Sequence, residues 1–100
     1  MKNKSVTVIA RIRAISGKEE ELKKALLELI APSRKDAGCL NYDLHQSTEH
    51  KSCFLFHENW ESKELLDKHM TTGHLKAFMA KGDKFLAEPP QITLWERISE

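Results

Sequence analysis

One hundred residues with sixteen Lys and Arg against fifteen Asp and Glu, a net charge of +1, describe a single domain spanning residues 1–100. This near-balance, without runs of like charge, excludes nucleic acid and anionic membrane surfaces as expected partners. No apolar run approaches the roughly 20 residues of a membrane span, and no signal-type hydrophobic region follows Met1, so a cytoplasmic location is expected.

Val6–Arg13 is rich in β-branched residues and reads as a first strand, with Val6, Val8, Ala10 and Ile12 on one face. Thr7, Ile9, Arg11 and Arg13 take the other. Ser16-Gly17-Lys18-Glu19 fits a capping box that opens a helix. Behind it Leu22, Ala25, Leu26, Leu29 and Ile30 fall on one stripe, the spacing of a face buried on a core. Pro32 lacks an N–H and is expected to kink or end this helix, with a further turn over residues 33–37 stopped by Gly38.

Residues 39–47 read as a second strand, with Leu40, Tyr42 and Leu44 sharing a face. A polar turn over residues 48–52 leads to a third strand, Cys53–Trp60. Its Phe54, Phe56, Glu58 and Trp60 share one face; Cys53, Leu55, His57 and Asn59 share the other. In a hairpin about that turn Ser47 opposes Cys53 and Cys39 falls near Glu61. The cysteines then sit at opposite ends of the ladder, about eight residues apart at roughly 3.3 Å each, beyond disulfide reach. Both faces of strand three carry apolar groups, so a second copy of the chain is expected to cover the face that the helices leave open. A domain of this size buries only about 60–70% of its unfolded surface, which a second subunit would increase.

Ser62 is placed to cap a helix presenting Leu65, Leu66, His69 and Met70, and Thr72 to cap another with Leu75, Phe78, Met79 and Phe85. Glu88-Pro89-Pro90 stops it, and residues 91–98 alternate as a last strand. The order βαββααβ predicts an α+β domain: a four-stranded antiparallel sheet with helices on one face, the ferredoxin-like plan.

Within the seventeen positions from Glu58 to His74 the chain gathers a carboxylate, an indole and two imidazoles. An imidazole titrates near neutrality, so His69 and His74 are candidates for general base and acid. Glu58 shares its face with Phe56 and Trp60, where a carboxylate is costly unless paired. It either orients a histidine or forms an ion pair with Arg11, Arg13 or Arg97. Trp60, Tyr42, Phe56 and Phe78 read as core or pocket wall, and His45 and His57 as interface residues. The five-residue spacing of the two histidines is not a zinc motif, and no Cys or Asp at ligand spacing completes a set, so no metal is expected.

Asp36 with Gly38-Cys39-Leu40 and Tyr42 at the entry to strand two, Glu58 and Trp60 at the end of strand three, and His69, His74 and Phe78 on the later helices resemble the antibiotic-biosynthesis-monooxygenase family. The resemblance covers nearly the whole chain. It implies a dimeric α/β barrel, a homodimer whose sheets face each other, each subunit holding a pocket between its sheet and its helices. In oxygenating members no metal or flavin takes part; the protein stabilises a deprotonated phenol that itself reacts with dioxygen. Trp60 stands where those members have a functional tryptophan. Phe56 and Leu66 stand where they have a hydrogen-bonding asparagine and tyrosine, which speaks against their polycyclic substrates. Strand one has no asparagine of the haem-degrading branch. Glu58, His69 and His74 together are similar to the quinol-monooxygenase branch and to an isomerase of the same fold that acts on a small phosphorylated carbonyl compound.

The resulting expectation is a cofactor-free monooxygenase of a small quinol or phenol. His69 would be the base, His74 the donor and Glu58 the orienting carboxylate, with Trp60, Phe56, Tyr42, Phe78 and Leu66 around the substrate. One alternative is the isomerase, which needs a phosphate-binding cation from Lys76, Lys81 or Arg11. Another is a non-catalytic ligand-binding dimer.

Overall fold

The computed structural model describes residues 5–99. Four strands, β1 (Val6–Arg13), β2 (Cys39–Gln46), β3 (Cys53–Trp60) and β4 (Gln91–Trp95), form one antiparallel sheet in the order β2-β3-β1-β4. Helices α1 (Glu19–Leu27), α2 (Ile30–Arg34), α3 (Lys63–Met70) and α4 (Gly73–Ala80) join the strands. This is the ferredoxin-like α+β plan with both crossover helices broken in two. The period-2 pattern of the strands sets the core: Val8, Ala10 and Ile12 of β1 and Phe54, Phe56, Glu58 and Trp60 of β3 are all buried on one face. Leu22, Leu26 and Leu29 pack against them from α1 and its C-terminal flank.

Four local expectations are corrected. The capping box does not form, because Gly17 at φ 91° turns the chain and leaves Lys18 at the helix start; Glu19 accepts from Gly17 N instead, at 3.0 Å. The first helix breaks before Pro32 rather than at it. The proline ring crowds the carbonyl four residues earlier, at Glu28, and Pro32 then sits in the first turns of α2, where its missing N–H is not needed. Helix α4 ends at Ala80, well short of Glu88, as a 3-10 turn over Gly82–Lys84 takes over at a glycine. Phe85 therefore lies outside that helix, buried and stacked on Phe78 at 5.8 Å. The last strand stops at Trp95, whose partner is Thr7; β1 begins one residue before Thr7, and among the described residues 96–98 have no ladder.

A fifth correction concerns β2. Cys39 pairs with Trp60 and Asn41 with Asn59, so Leu40 is an extra residue, a bulge. The bulge turns Leu40 away from Tyr42: Tyr42 is 2% exposed and Leu40 56%. Ser47 N does bond Cys53 O, at 2.9 Å, and both cysteines are free thiols at opposite ends of the hairpin. Ser62 Oγ caps α3 by accepting from Leu65 N.

Gly38 ends the α2 segment at φ 84°, and a Cβ built on it would lie 2.5 Å from Leu65 Cδ1 and 2.8 Å from Leu65 Cβ. Two costs therefore coincide, about 1–2 kcal/mol for the left-handed backbone and about 1–3 for overpacking. Gly38→Ala is expected to lower unfolding free energy in urea by about 3 kcal/mol. Gly17→Ala, also left-handed but with nothing within 4 Å, is expected to lose only about 1.

On the opposite side of the sheet no helix among the described residues covers Thr7, Ile9, Leu55, His57 and Asn59. Asn59 donates to Asn41 Oδ1 at 2.7 Å, and Asn41 donates to Asp43 Oδ2 and to His57 O at 3.0 Å each. Beside this polar ladder Leu40 and Trp95 stand more than half exposed along a groove of about 640 Å³.

Candidate active site

Between the sheet and α3–α4 lies a cavity of about 230 Å³. Its walls are apolar: Val8, Ala10 and Ile12 from β1, Phe56 from β3, Phe78 from α4, and Pro89-Pro90 at the mouth. Three polar side chains reach it, Glu58, His69 and Tyr42. Among the described residues no Lys or Arg lines it. The volume lies just under the usual range for drug-sized ligands, which fits a small compound.

His69 stands in the last turn of α3, three residues after Leu66, so the helical repeat buries both on the sheet side. Its ring lies 4.4 Å from that of Trp60, tilted by 33°, and meets Tyr42 edge-on at 5.4 Å. Its Nδ1 is 2.8 Å from Asp36 Oδ2. The same oxygen lies 3.1 Å from His74 Nε2, at the start of α4. A carboxylate only accepts, so both imidazoles donate to it: His69 carries its proton on Nδ1 and His74 on Nε2. Thr72 Oγ1 donates to His69 O at 2.8 Å and fixes the α3–α4 break between the two rings. Asp36 does not line the cavity and His69 does, so the nitrogen that His69 offers to a ligand is Nε2, unprotonated and free to accept. Burial lowers the His69 pKa, and Asp36 opposes this by holding the charged form. The ring is a neutral base set in an apolar wall.

Glu58 is 5% exposed, and burial pushes its pKa up to about 7, against the opposing hydrogen bond from Trp60 Nε1 at 2.9 Å. Near neutrality it exists in both forms, able to give or take a proton. Burial, and then the charge of Glu58, raise the Tyr42 pKa, opposed by the Ser33 side chain, so Tyr42 remains a neutral phenol. Trp60→Phe removes the hydrogen bond that stabilises the Glu58 carboxylate. Its pKa is expected to climb above about 7, read from the Glu58 side-chain carboxyl in a carbon-13 titration.

Of the sequence-predicted residues, Glu58, His69, Tyr42, Phe56 and Phe78 line the cavity. Trp60 and Leu66 do not: both are buried behind it, Trp60 as the packing surface for His69. His74 lines a separate pocket of about 170 Å³ with Glu28 and Lys81, on the far side of Leu29 and Phe78. It meets the cavity-lining His69 at a ring distance of 5.9 Å and shares Asp36 Oδ2 with it. The carboxylate that orients the histidines is therefore Asp36, not Glu58. Among the described residues Glu58 forms no ion pair with Arg11, Arg13 or Arg97; Arg13 pairs with Glu88. Sequence reasoning noted Asp36 only as part of a motif. Nothing local marks it as a site residue, since 33 and 38 positions separate it from its two partners.

A small ferredoxin-like α+β domain with a buried histidine in an apolar cavity is the class of protein these features define. Residues 5–81 match the antibiotic biosynthesis monooxygenase family, and the chain belongs to it. A protein of Synechocystis, sll1783, is 30% identical over 91 residues, 91% of this chain and 62% of its own length, so this chain spans under two thirds of that relative. Rv0793 of Mycobacterium tuberculosis, provisionally assigned as a monooxygenase, is 30% identical over 95% of this chain and 93% of its own. Its structure superposes with a TM-score of 0.88, covering 96% of this chain and 97% of that one. The crystal structure of PA3566 from Pseudomonas aeruginosa matches at TM-score 0.91 and 35% identity over 96% of each chain. A monooxygenase-type enzyme is the function these relationships support.

Proposed function

We propose that this protein is a cofactor-independent monooxygenase of a small, uncharged hydroquinone or phenol, with dioxygen as co-substrate. The observation that carries this reading is a neutral histidine, backed by a carboxylate, in the wall of an otherwise apolar cavity. His69 Nε2 takes the phenolic proton, and Asp36 stabilises the imidazolium that forms. Glu58 in its protonated form and the Tyr42 hydroxyl are the donors at hand for the phenolate oxygen, and the surrounding hydrocarbon strengthens those contacts by excluding water. The phenolate, electron-rich and shielded, reacts with dioxygen. For a hydroquinone, one oxygen atom enters the ring, the other leaves as water, and the substrate supplies the electrons and protons as it becomes a hydroxyquinone.

The isomerase reading requires a phosphate-binding cation, and the three candidates lie elsewhere. Lys81 borders the His74 pocket, Arg11 sits on the other face of the sheet, and Lys76 is exposed on α4. A cavity with no cation among its described lining residues favours a neutral aromatic substrate.

The uncovered sheet face supports a homodimer as the working form. Leu40, Leu55 and Trp95 lie there beside a hydrogen-bonded polar ladder, and all of β4 is exposed in the single chain. Light scattering is expected to give twice the chain mass. Cys39 and Cys53, both free, fit a reducing compartment such as the cytoplasm; among the described residues no helix is long and apolar enough to cross a membrane.

The test is oxygen uptake by chelator-treated protein with monocyclic and bicyclic hydroquinones. Uptake above autoxidation, with one oxygen atom in the product from labelled dioxygen, is expected. Turnover of an enolisable carbonyl compound without oxygen uptake would favour the isomerase. Saturable hydroquinone binding with no turnover would leave a ligand-binding dimer.

A further inference from the structure

Asp36, His69 and His74 do more than hydrogen-bond one another. Their three ligand atoms, Oδ2, Nδ1 and Nε2, all lie within 4.8 Å of one another, with both imidazoles aimed at one oxygen at 2.8 and 3.1 Å. Ligand atoms sharing a zinc ion at about 2.0–2.2 Å stand roughly 3–3.4 Å apart, so a small outward shift of the carboxylate converts the cluster into two nitrogens and one oxygen around an ion. Two neutral imidazoles and a carboxylate are the donor set of borderline first-row divalent ions.

Three further observations favour an ion here. Among the described residues Asp36 pairs with no Lys or Arg, so its charge is met only by imidazole N–H groups. The His69 ring is held between Trp60 and Tyr42 and is not free to turn away. The Asp36 and His74 side chains are 20% and 23% exposed beside a His69 side chain that is 1% exposed, which leaves a route in from solvent and room for water as a further ligand.

We propose that Asp36 Oδ2, His69 Nδ1 and His74 Nε2 bind a divalent transition-metal ion, zinc foremost, and that its binding switches off His69 as a base. The reason is tautomeric. A metal on Nδ1 displaces the proton from that nitrogen, and the neutral ring then carries it on Nε2. The nitrogen facing the cavity changes from acceptor to donor, with no change in cavity shape. The switch rests on the function proposed above; the metal site does not.

The test is titration of the chelator-treated, full-length protein with zinc and with cobalt(II). One equivalent per chain is expected, with visible cobalt bands of a nitrogen–oxygen site. In His74→Ala and in Asp36→Asn, both partly exposed positions with little risk to folding, affinity is expected to fall by at least about 100-fold. His45→Ala and His50→Ala, on the opposite sheet face and in the turn, are expected to bind as the unaltered chain does. Nitrogen-15 spectra of the His69 ring are expected to pass from the Nδ1-protonated to the Nε2-protonated form as zinc is added, whether or not any substrate is turned over. Hydroquinone oxidation is expected to fall in step with zinc occupancy in the unaltered protein and to be insensitive to the same zinc in His74→Ala. Absence of saturable binding, or binding that survives both substitutions, overturns the site. Stoichiometric binding with the Nδ1 proton retained, or with full turnover, overturns the switch. A zinc-driven tautomer change in a protein that oxidises no hydroquinone supports the site while refuting the monooxygenase reading.

Discussion

His69→Ala is expected to lower kcat/KM for hydroquinone oxidation by about 10²–10⁴-fold, the usual contribution of a positioned general base. The removed group is the only imidazole that reaches the cavity. Alanine also leaves a hole against Trp60, so Asp36→Asn is the sharper companion. It keeps the ring in place and removes the charge that favours its protonation, by which Asp36 raises the His69 pKa against burial. The acid limb of the pH profile therefore lies below the usual histidine value near 6.5 in the unaltered enzyme and moves lower still in Asp36→Asn, while kcat falls. If His69 were merely a packing residue, Asp36→Asn would change stability and leave the position of that limb alone.

Glu58→Gln is expected to stabilise the protein strongly at alkaline pH and hardly at all in acid. The Glu58 pKa is about 7 in the folded chain and near 4.5 in the unfolded one. Between those values the folded state holds the extra proton, so stability falls as pH rises through this window and the loss is complete above about 7. At roughly 1.4 kcal/mol per pH interval the full loss is on the order of 3 kcal/mol, the energy of ionising a carboxyl inside hydrocarbon. Glutamine fills the same volume and keeps an oxygen for Trp60 Nε1, but never ionises. At pH 8 its melting temperature is expected to exceed that of the unaltered protein by about 10 °C or more, taking 4–8 °C per kcal/mol for a domain of this size. At pH 4 the two should nearly coincide. A difference independent of pH would mean that Glu58 is not a strained carboxylate. Retaining so costly a group beside the base fits a role in proton transfer.

Glu58 and Phe56 illustrate what was legible beforehand. Their shared face follows from the two-residue period of a strand, and the same reasoning gave the α1 stripe, the free cysteines and the open second face of the sheet. Leu40 shows where it failed: no local signal separates a regular strand from one with a single extra residue, and the bulge reversed its side. Ser16 failed for a similar reason, because one left-handed glycine shifted the helix start beyond its reach. Phe85 fits the helical stripe of α4 yet lies beyond it, because the helix gives way to a 3-10 turn at Gly82.

The site divides along the same line. His69 was a candidate from residue type and helical position, since imidazole chemistry and burial on the α3 stripe are both written locally. The separation of His74 from the cavity, the placing of Trp60 behind His69, and the meeting of Asp36 with both histidines were not. The faces are written locally: which side chains of each strand and helix point into the core follows from a backbone geometry that repeats over two or 3.6 residues. The chemistry comes from long-range packing, because a carboxylate in the loop before β2 meets histidines 33 and 38 positions away through the packing of α3 and α4 on the sheet, a distance no local period encodes.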